Sequence, residues 1–320
     1  MRRVIIVFVL LLTVGILAVA ASFSVWRATS VVSDVTVIIE PHRGTHAILT
    51  QLAEANALPP AWTIALPMLL DGRIHQLKAG EYAFTAGMTP AQVIDKIARG
   101  QVVIHKLTIP EGLNMLQVKK IFMDEPLLTG DVPVLAEGSL FPDTILFQRG
   151  QSRASIVETM QKRMREVLAN AWAARAPNLP LKTPDDALVM ASMVEKETGV
   201  ADERAMVAGV FYHRLALGMK LQSDPTVAYG IELAQGAPLG RALTSADLHA
   251  DTPFNSYTRF GLPPTPICNP GLAAIEAALH PAATDALYFV ATGYGGHHFA
   301  ADLRTHNDNV SRYRHRTDAK

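Results

Sequence analysis

The sequence contains a single cysteine, Cys268, so no disulfide framework can form within one chain. One thiol does not fix a redox compartment, and Cys268 is expected to serve as a small buried apolar residue in a loop. Net charge is also lacking: 29 basic residues balance 29 acidic ones. With no global basic field and no long run of one sign, nucleic acid is excluded as an expected partner. The histidines and acids near the C-terminus (His297, His298, Asp302, His306) match no zinc-ligand spacing, so no metal is expected and fold-shaping hydrogen bonds are the reading.

What the chain has is apolar mass. Of its 320 residues, 49% are hydrophobic, enough for two ordinary domains with a sizeable core. Part of that mass is concentrated at the start. Arg2 and Arg3 precede an uncharged stretch over residues 4–26, closed by Arg27. As a helix it would measure roughly 35 Å at ~1.5 Å per residue, enough for a bilayer core of ~30 Å. The leading arginines should stay in the cytoplasm, and Trp26 and Arg27 suit the outer interface. A retained anchor over residues 1–27 is therefore expected. The alternative is a cleaved signal peptide, with Ala18-Val19-Ala20 as its small-residue site.

Beyond the anchor the pattern alternates strands and helices. Val35, Val37 and Ile39 alternate as a strand. A helix opens at Gly44-Thr45, and a second is expected over residues 60–70. Gly80-Glu81-Tyr82-Ala83-Phe84 reads as another strand. Thr89-Pro90 is a capped helix start and Gly100 a stop. A strand over residues 102–109 leads through Pro110-Glu111-Gly112 into a helix. The pieces VIIEPHRGTHAILTQL and KLTIPEGLNMLQVKKI share a strand, a Pro/Gly turn and a short amphipathic helix, a weak internal duplication. A domain boundary is expected at residues 126–131. Further helices are expected from Arg153 to about Trp172, from Pro184 to about Thr198, from about Asp202 to Gly218, and over 271–279. Residues 286–291 read as a buried strand. Residues 220–270 are rich in Pro, Gly, Asn, Ser and Asp and read as turns and short elements, where binding residues tend to sit.

The helix over 184–198 is apolar around most of its circumference, then carries Glu195, Lys196 and Glu197. Each acid extends an apolar stripe, and a carboxyl on such a stripe can be desolvated and work as a general acid. Helical spacing alone does not choose between them. Within 222–226, Gln222, Ser223, Asp224 and Thr226 pack hydrogen-bonding groups together, as sugar recognition requires. Tyr229 and Tyr257 can stack on pyranose faces. Asn255 and Asn269 can hold N-acetyl groups or hydroxyls. All eight are candidate substrate-binding residues.

Several blocks, taken in order, resemble the MltG/YceG-like endolytic murein transglycosylases. They are ASMVEKET, RAMVAGVFYHRLALGMKLQSDPTVAYG, FNSYTRFGLPPTPICNPG, LYFVATGYGGHHF and THN, with LKAGEY, IPEG and EGSLFPDT upstream. Two residues depart from the expected pattern: His213 where an asparagine is expected, and Cys268 where a small residue is. The resemblance implies an α+β protein made of an anchor, a LysM-like module over 35–125 and a catalytic domain over 137–320. It implies cleavage of the β-1,4 bond between N-acetylmuramic acid and N-acetylglucosamine within peptidoglycan strands, leaving a 1,6-anhydro end. It assigns the acid/base role to the first acid of VEKET, Glu195. Glu197, roughly 200° further round the helix, is then expected to point away from the scissile bond. The implied partners are glycan strands, the cytoplasmic membrane and peptidoglycan synthases. The rival readings are a muramidase with Asp224 as second carboxylate, and a wall-binding scaffold without activity.

Overall fold

A computed structural model describes residues 2–28 and 30–317, with the side chains of residues 316 and 317 left aside. The chain is mixed α+β. It divides into two compact units: residues up to Lys106 together with Leu146–Gln151, and Leu107–Ile145 together with the chain from Ser152 onward.

The first unit opens with α1 (Arg2–Arg27), long and apolar enough to cross a membrane. Its side chains are exposed up to Ala21, whereas Trp26 is buried. There follow β1 (Val35–Ile39), α2 (Thr45–Glu54), α3 (Ala61–Asp71), β2 (Gly80–Phe84) and α4 (Pro90–Arg99). β1 and β2 pair antiparallel, Val37 opposite Tyr82. The alternation read from the sequence sends Val37 and Ile39 inward, onto Ile48, Leu52, Ile64, Tyr82, Phe84 and the Val93-Ile94-Ile97 face of α4. Thr89 and Gln92 form a reciprocal capping box at the start of α4, and Gly100 closes it in the left-handed region. Glu81, buried in β2, is held by His105 Nε2 at 2.8 Å and Arg149 Nε at 2.9 Å. The arginine belongs to the Leu146–Gln151 return.

β3 (His105–Thr108) and β4 (Thr144–Phe147) form a two-stranded ribbon whose residues divide between the units. The second unit contains α5 (Met115–Asp124), α6 (Arg153–Ala173), α7 (Pro184–Glu197) and α8 (Arg204–Ala216). It continues with α9 (Asp224–Gln235), α10 (Ser245–His249), α11 (Leu272–Leu279), the hairpin β5 (Tyr288–Ala291) and β6 (His297–Ala300), and α12 (Leu303–Thr317). α7 is its axis. Every residue from Ala187 to Val194 is buried, and the helix packs against α11, α8, α6 and α9. Thr183 and Asp186 box its N-terminus, with Pro184 in the first turn.

The division between units falls earlier than the expected boundary at 126–131. Residues 107–125 go with the second unit, not with a 35–125 module. The guanidinium of Arg153 gives the reason. It donates to the carbonyls of Phe122, Glu125, Leu128 and Gly130, folding the stretch that reads as a linker onto the start of α6. Within the stretch read as turns and short elements, residues 224–235 form a three-turn helix. Pro225 lies in the first turn of α9, where its missing N–H costs nothing.

Candidate active site

The two acids at the end of α7 face different surroundings. Glu195 is half-buried. Its Oε2 accepts from Gly271 N–H at 3.0 Å, and the carboxylate of Glu111 lies beside it. A Cβ at Gly271 would meet the Glu111 carboxyl, which would have to swing aside. Burial pushes the Glu195 pKa up, the Gly271 N–H pulls it down, and the neighbouring Glu111 charge raises it again. Lys196 donates to Gly112 O at 3.2 Å. Glu195 and Lys196 thus tie the Pro110-Glu111-Gly112 turn and the start of α11 to the end of α7.

Glu197 opens onto a cavity of about 470 Å³. Its walls include Arg214, Gln222, Asp224, Tyr257, Tyr288 and Asn307. The Ser223 hydroxyl donates to Glu197 Oε1 at 2.5 Å. Protein packed around the carboxyl pushes its pKa up to about 7. The Ser223 bond opposes this, the charge of Asp224 adds to it, and that of Arg214 opposes it. The roughly 200° between the two acids round the helix thus gives them different surroundings, and the last turn of α7 brings the Glu197 carboxyl to this cavity.

Of the expected binding residues, Gln222, Ser223, Asp224 and Tyr257 come together here. Ser223 is the N-cap residue of α9, yet its side chain makes no capping bond because it is spent on Glu197. Gln222 holds φ at +51°, a conformation uncommon for a residue with a side chain. Tyr257 Oη donates to Asp224 Oδ1 at 2.6 Å. Burial, then the Asp224 carboxylate, raise the Tyr257 pKa, so it stays a phenol.

The other four do not reach this cavity. Thr226 is fully buried, its hydroxyl donating to Ser223 O at 2.6 Å beside Ser256. Asn255 is fully buried, its amide donating to the carbonyls of Leu248 and Ala250 below α10. Asn269 accepts from Leu140 N–H at 3.0 Å and donates to Leu113 O at 2.9 Å. Each spends its polar group on the protein itself. Tyr229 donates to Glu137 Oε2 at 3.0 Å and lines a smaller cavity of about 300 Å³, with Asn114, Gln117, Lys196 and Glu232. Asp224 borders both cavities.

Arg214 was not among the residues singled out from the sequence. Its guanidinium donates to the carbonyls of Leu287, Lys220 and Leu221 and to Gln222 Oε1, and it lies 5.1 Å from the Tyr288 ring centre. It thereby fixes the cavity floor. The signal was present: Arg214 follows Val207, Val210 and Phe211 at core spacing, an unusual place for a charge. The two departures from the family pattern are absorbed locally. Cys268 is buried, its thiol directed at Ser192 O at 3.4 Å and its pKa pushed up by burial. His213 Nδ1 lies 3.3 Å from Ala286 O. His297 pairs with Glu203 at 2.8 Å, and the His306 ring stacks on Tyr288.

A carboxyl with a raised pKa, on a cavity walled by amide, phenol and carboxylate groups, is a candidate acid/base site for a polar substrate. The chain belongs to the YceG-like family, whose sequence profile matches residues 37–312. A Bacillus subtilis (strain 168) protein named endolytic murein transglycosylase is 34% identical over 261 residues, 77% of this chain and 70% of that one. A protein of the same name from Streptococcus pneumoniae (serotype 2, strain D39) is 30% identical over 287 residues. That match takes in 74% of this chain and about half (51%) of the relative. Among solved structures, the 2.6 Å crystal structure of a YceG-like protein from Listeria monocytogenes aligns with a TM-score of 0.53 at 30% identity. It covers 86% of this chain and 98% of its own.

Proposed function

We propose that this chain is an endolytic peptidoglycan transglycosylase that cuts the β-1,4 bond between N-acetylmuramic acid and N-acetylglucosamine inside glycan strands. It belongs to a family in which relatives carry that name. The observation that carries the mechanism is the Glu197 carboxyl, with its pKa near 7, on the wall of the 470 Å³ cavity.

The motif resemblance points to Glu195 as the acid/base, whereas the geometry favours Glu197. Glu195 is engaged with Gly271 and stands off that cavity, and its role in this reading is to position the end of α7. Glu197 donates its proton to the glycosidic oxygen as the bond to C1 of the muramic acid breaks. The resulting carboxylate then takes the proton of the C6 hydroxyl of the same sugar while O6 closes on C1. The ring closure is intramolecular, so positioning replaces an incoming water. Ser223 steadies the carboxylate stage with its hydrogen bond. Gln222 and Tyr257 supply the amide and the ring face against which the sugars rest. No cofactor enters this scheme.

Asp224 favours one alternative. It shares the cavity with Glu197, as a second carboxylate must in a hydrolase. Incubation of glycan strands in ¹⁸O-water decides between the two. The transglycosylase yields unlabelled 1,6-anhydro ends, lighter by one water. Labelled reducing ends as the main product would overturn it and promote Asp224 to catalytic carboxylate.

In the same reading α1 is a retained single-pass anchor, with its arginines in the cytoplasm and the remainder outside. The order β1-α2-α3-β2 with antiparallel pairing supports a LysM-like module next to the membrane. Peptidoglycan synthases are the partners this setting would offer.

A further inference from the structure

We infer that α3 is a membrane-surface helix, whose open apolar face lies in the outer headgroup–acyl boundary of the bilayer that α1 spans. The inference rests on the reading of α1 as a retained anchor.

α3 is apolar on two sides. One side, Ile64, Pro67 and Met68, is buried in the first unit. The other carries Trp62, Leu66, Leu69 and Leu70, which are 80%, 37%, 63% and 68% exposed. The spacing i, i+4, i+7, i+8 places these four on one face. No charged residue occurs between Ala61 and Leu70. A soluble surface rarely leaves such a stripe uncovered, so something of apolar chemistry is expected against it.

The position of α3 along α1 identifies the occupant. Ser22 Oγ donates to Thr63 O at 2.7 Å, and Val25 and Trp26 pack into the core of the same unit. α3 is therefore pinned to the last turns of α1. Counted from Val4, Ser22 stands ~27 Å along a helix rising ~1.5 Å per residue. A hydrocarbon core is ~30 Å thick. Thr63, bonded to Ser22, is thus level with the outer edge of that core, and its neighbour Trp62 is at the depth where tryptophan collects. Leucines on one face with a tryptophan at the end are what an interfacial helix presents to acyl chains. Arg27, exposed at the end of α1, marks the water side.

The test uses the full chain in phosphatidylethanolamine/phosphatidylglycerol vesicles. Spin labels are attached at Leu69→Cys and, separately, at Leu12→Cys. Both positions are exposed and tolerate the change, and buried Cys268 stays unlabelled. Collision with oxygen, which partitions into lipid, is compared with collision with a water-soluble nickel chelate. Both labels should meet oxygen several-fold more effectively than nickel. A Leu69 label that meets nickel freely while the Leu12 label stays in lipid overturns the inference and leaves the anchor standing. A Leu69 label sheltered from both probes overturns it in favour of a protein partner or a second copy. A Leu12 label outside lipid brings down the anchor reading, and this inference with it.

Discussion

The hydroxyl of Ser223 points away from the helix it begins and donates to the carboxyl of Glu197 at 2.5 Å. An N-cap serine ordinarily satisfies a backbone N–H of its own helix, a contact worth about 1 kcal/mol. Here that contribution is given up to hold the one acid of α7 that opens onto the 470 Å³ cavity.

Glu197→Gln should lower the cleavage rate by about 10²–10⁴-fold, the usual loss of a general acid, with the fold intact by circular dichroism. Glu195→Gln should retain most of the activity, because a glutamine carbonyl still accepts from Gly271 N–H. Turnover of purified glycan strands by the two variants checks this. The reverse ranking would return the acid role to Glu195.

The pH profile follows from the raised pKa. Glu197 must be protonated to begin the reaction, so kcat/KM should fall as pH rises through about 7. Stability follows the same group. A carboxyl whose pKa is raised by folding binds more protons in the native than in the unfolded state. Its effect is absent well below pH 4, and it destabilises progressively as pH climbs to about 7. Glu197→Gln removes that penalty, so the variant should gain up to about 3 kcal/mol over the parent at pH 8 and much less at pH 4. Denaturant titrations at the two pH values measure the difference.

Ser223→Ala removes the donor that favours the charged form of Glu197. The alkaline limb of the pH–rate profile should move to higher pH, while thermal stability changes little, since the hydroxyl caps nothing. An unchanged limb would show that the bond is incidental to the chemistry.

Asn269→Ala should behave in the opposite way to Gln222→Ala. The first leaves Leu140 N–H buried without its acceptor and should cost about 1–3 kcal/mol of stability. The second, at the cavity wall, should weaken turnover and leave the melting temperature nearly unchanged. Thermal melts beside rate measurements separate the two roles.

Much of this architecture could be read from local signals. Thr89-Pro90 and Thr183-Pro184 marked helix starts that the structure keeps, because capping is decided within four residues. Gly80 to Phe84 was readable as a strand from its own aromatic residues behind a glycine. α9 was not legible: its Ser-Asp-Pro opening also serves a turn, and only packing against α7 makes it a helix. The polar cluster at 222–226 was visible, but which acid it served was not. Period and apolar stripe treat Glu195 and Glu197 alike, and the difference lies in Gly271 and Ser223, 76 and 26 residues away. Asn269 looked like a ligand group because its partners, Leu140 and Leu113, are tertiary; Asn255 and Thr226 turn onto carbonyls close by in sequence, in a local geometry that composition does not reveal.

The return of Leu146–Gln151 to the first unit has a consequence for dissection. The polypeptide passes between the units three times, so neither unit is a continuous stretch of chain. Cutting at 126–131, where the sequence invites an expression boundary, yields two fragments that each lack part of both bodies. The N-terminal piece loses Arg149, the partner of Glu81. The C-terminal piece loses the turn that Glu195 and Lys196 hold in place. The unit of engineering is thus the chain as a whole, and separable halves would first require the 146–151 excursion to be rerouted.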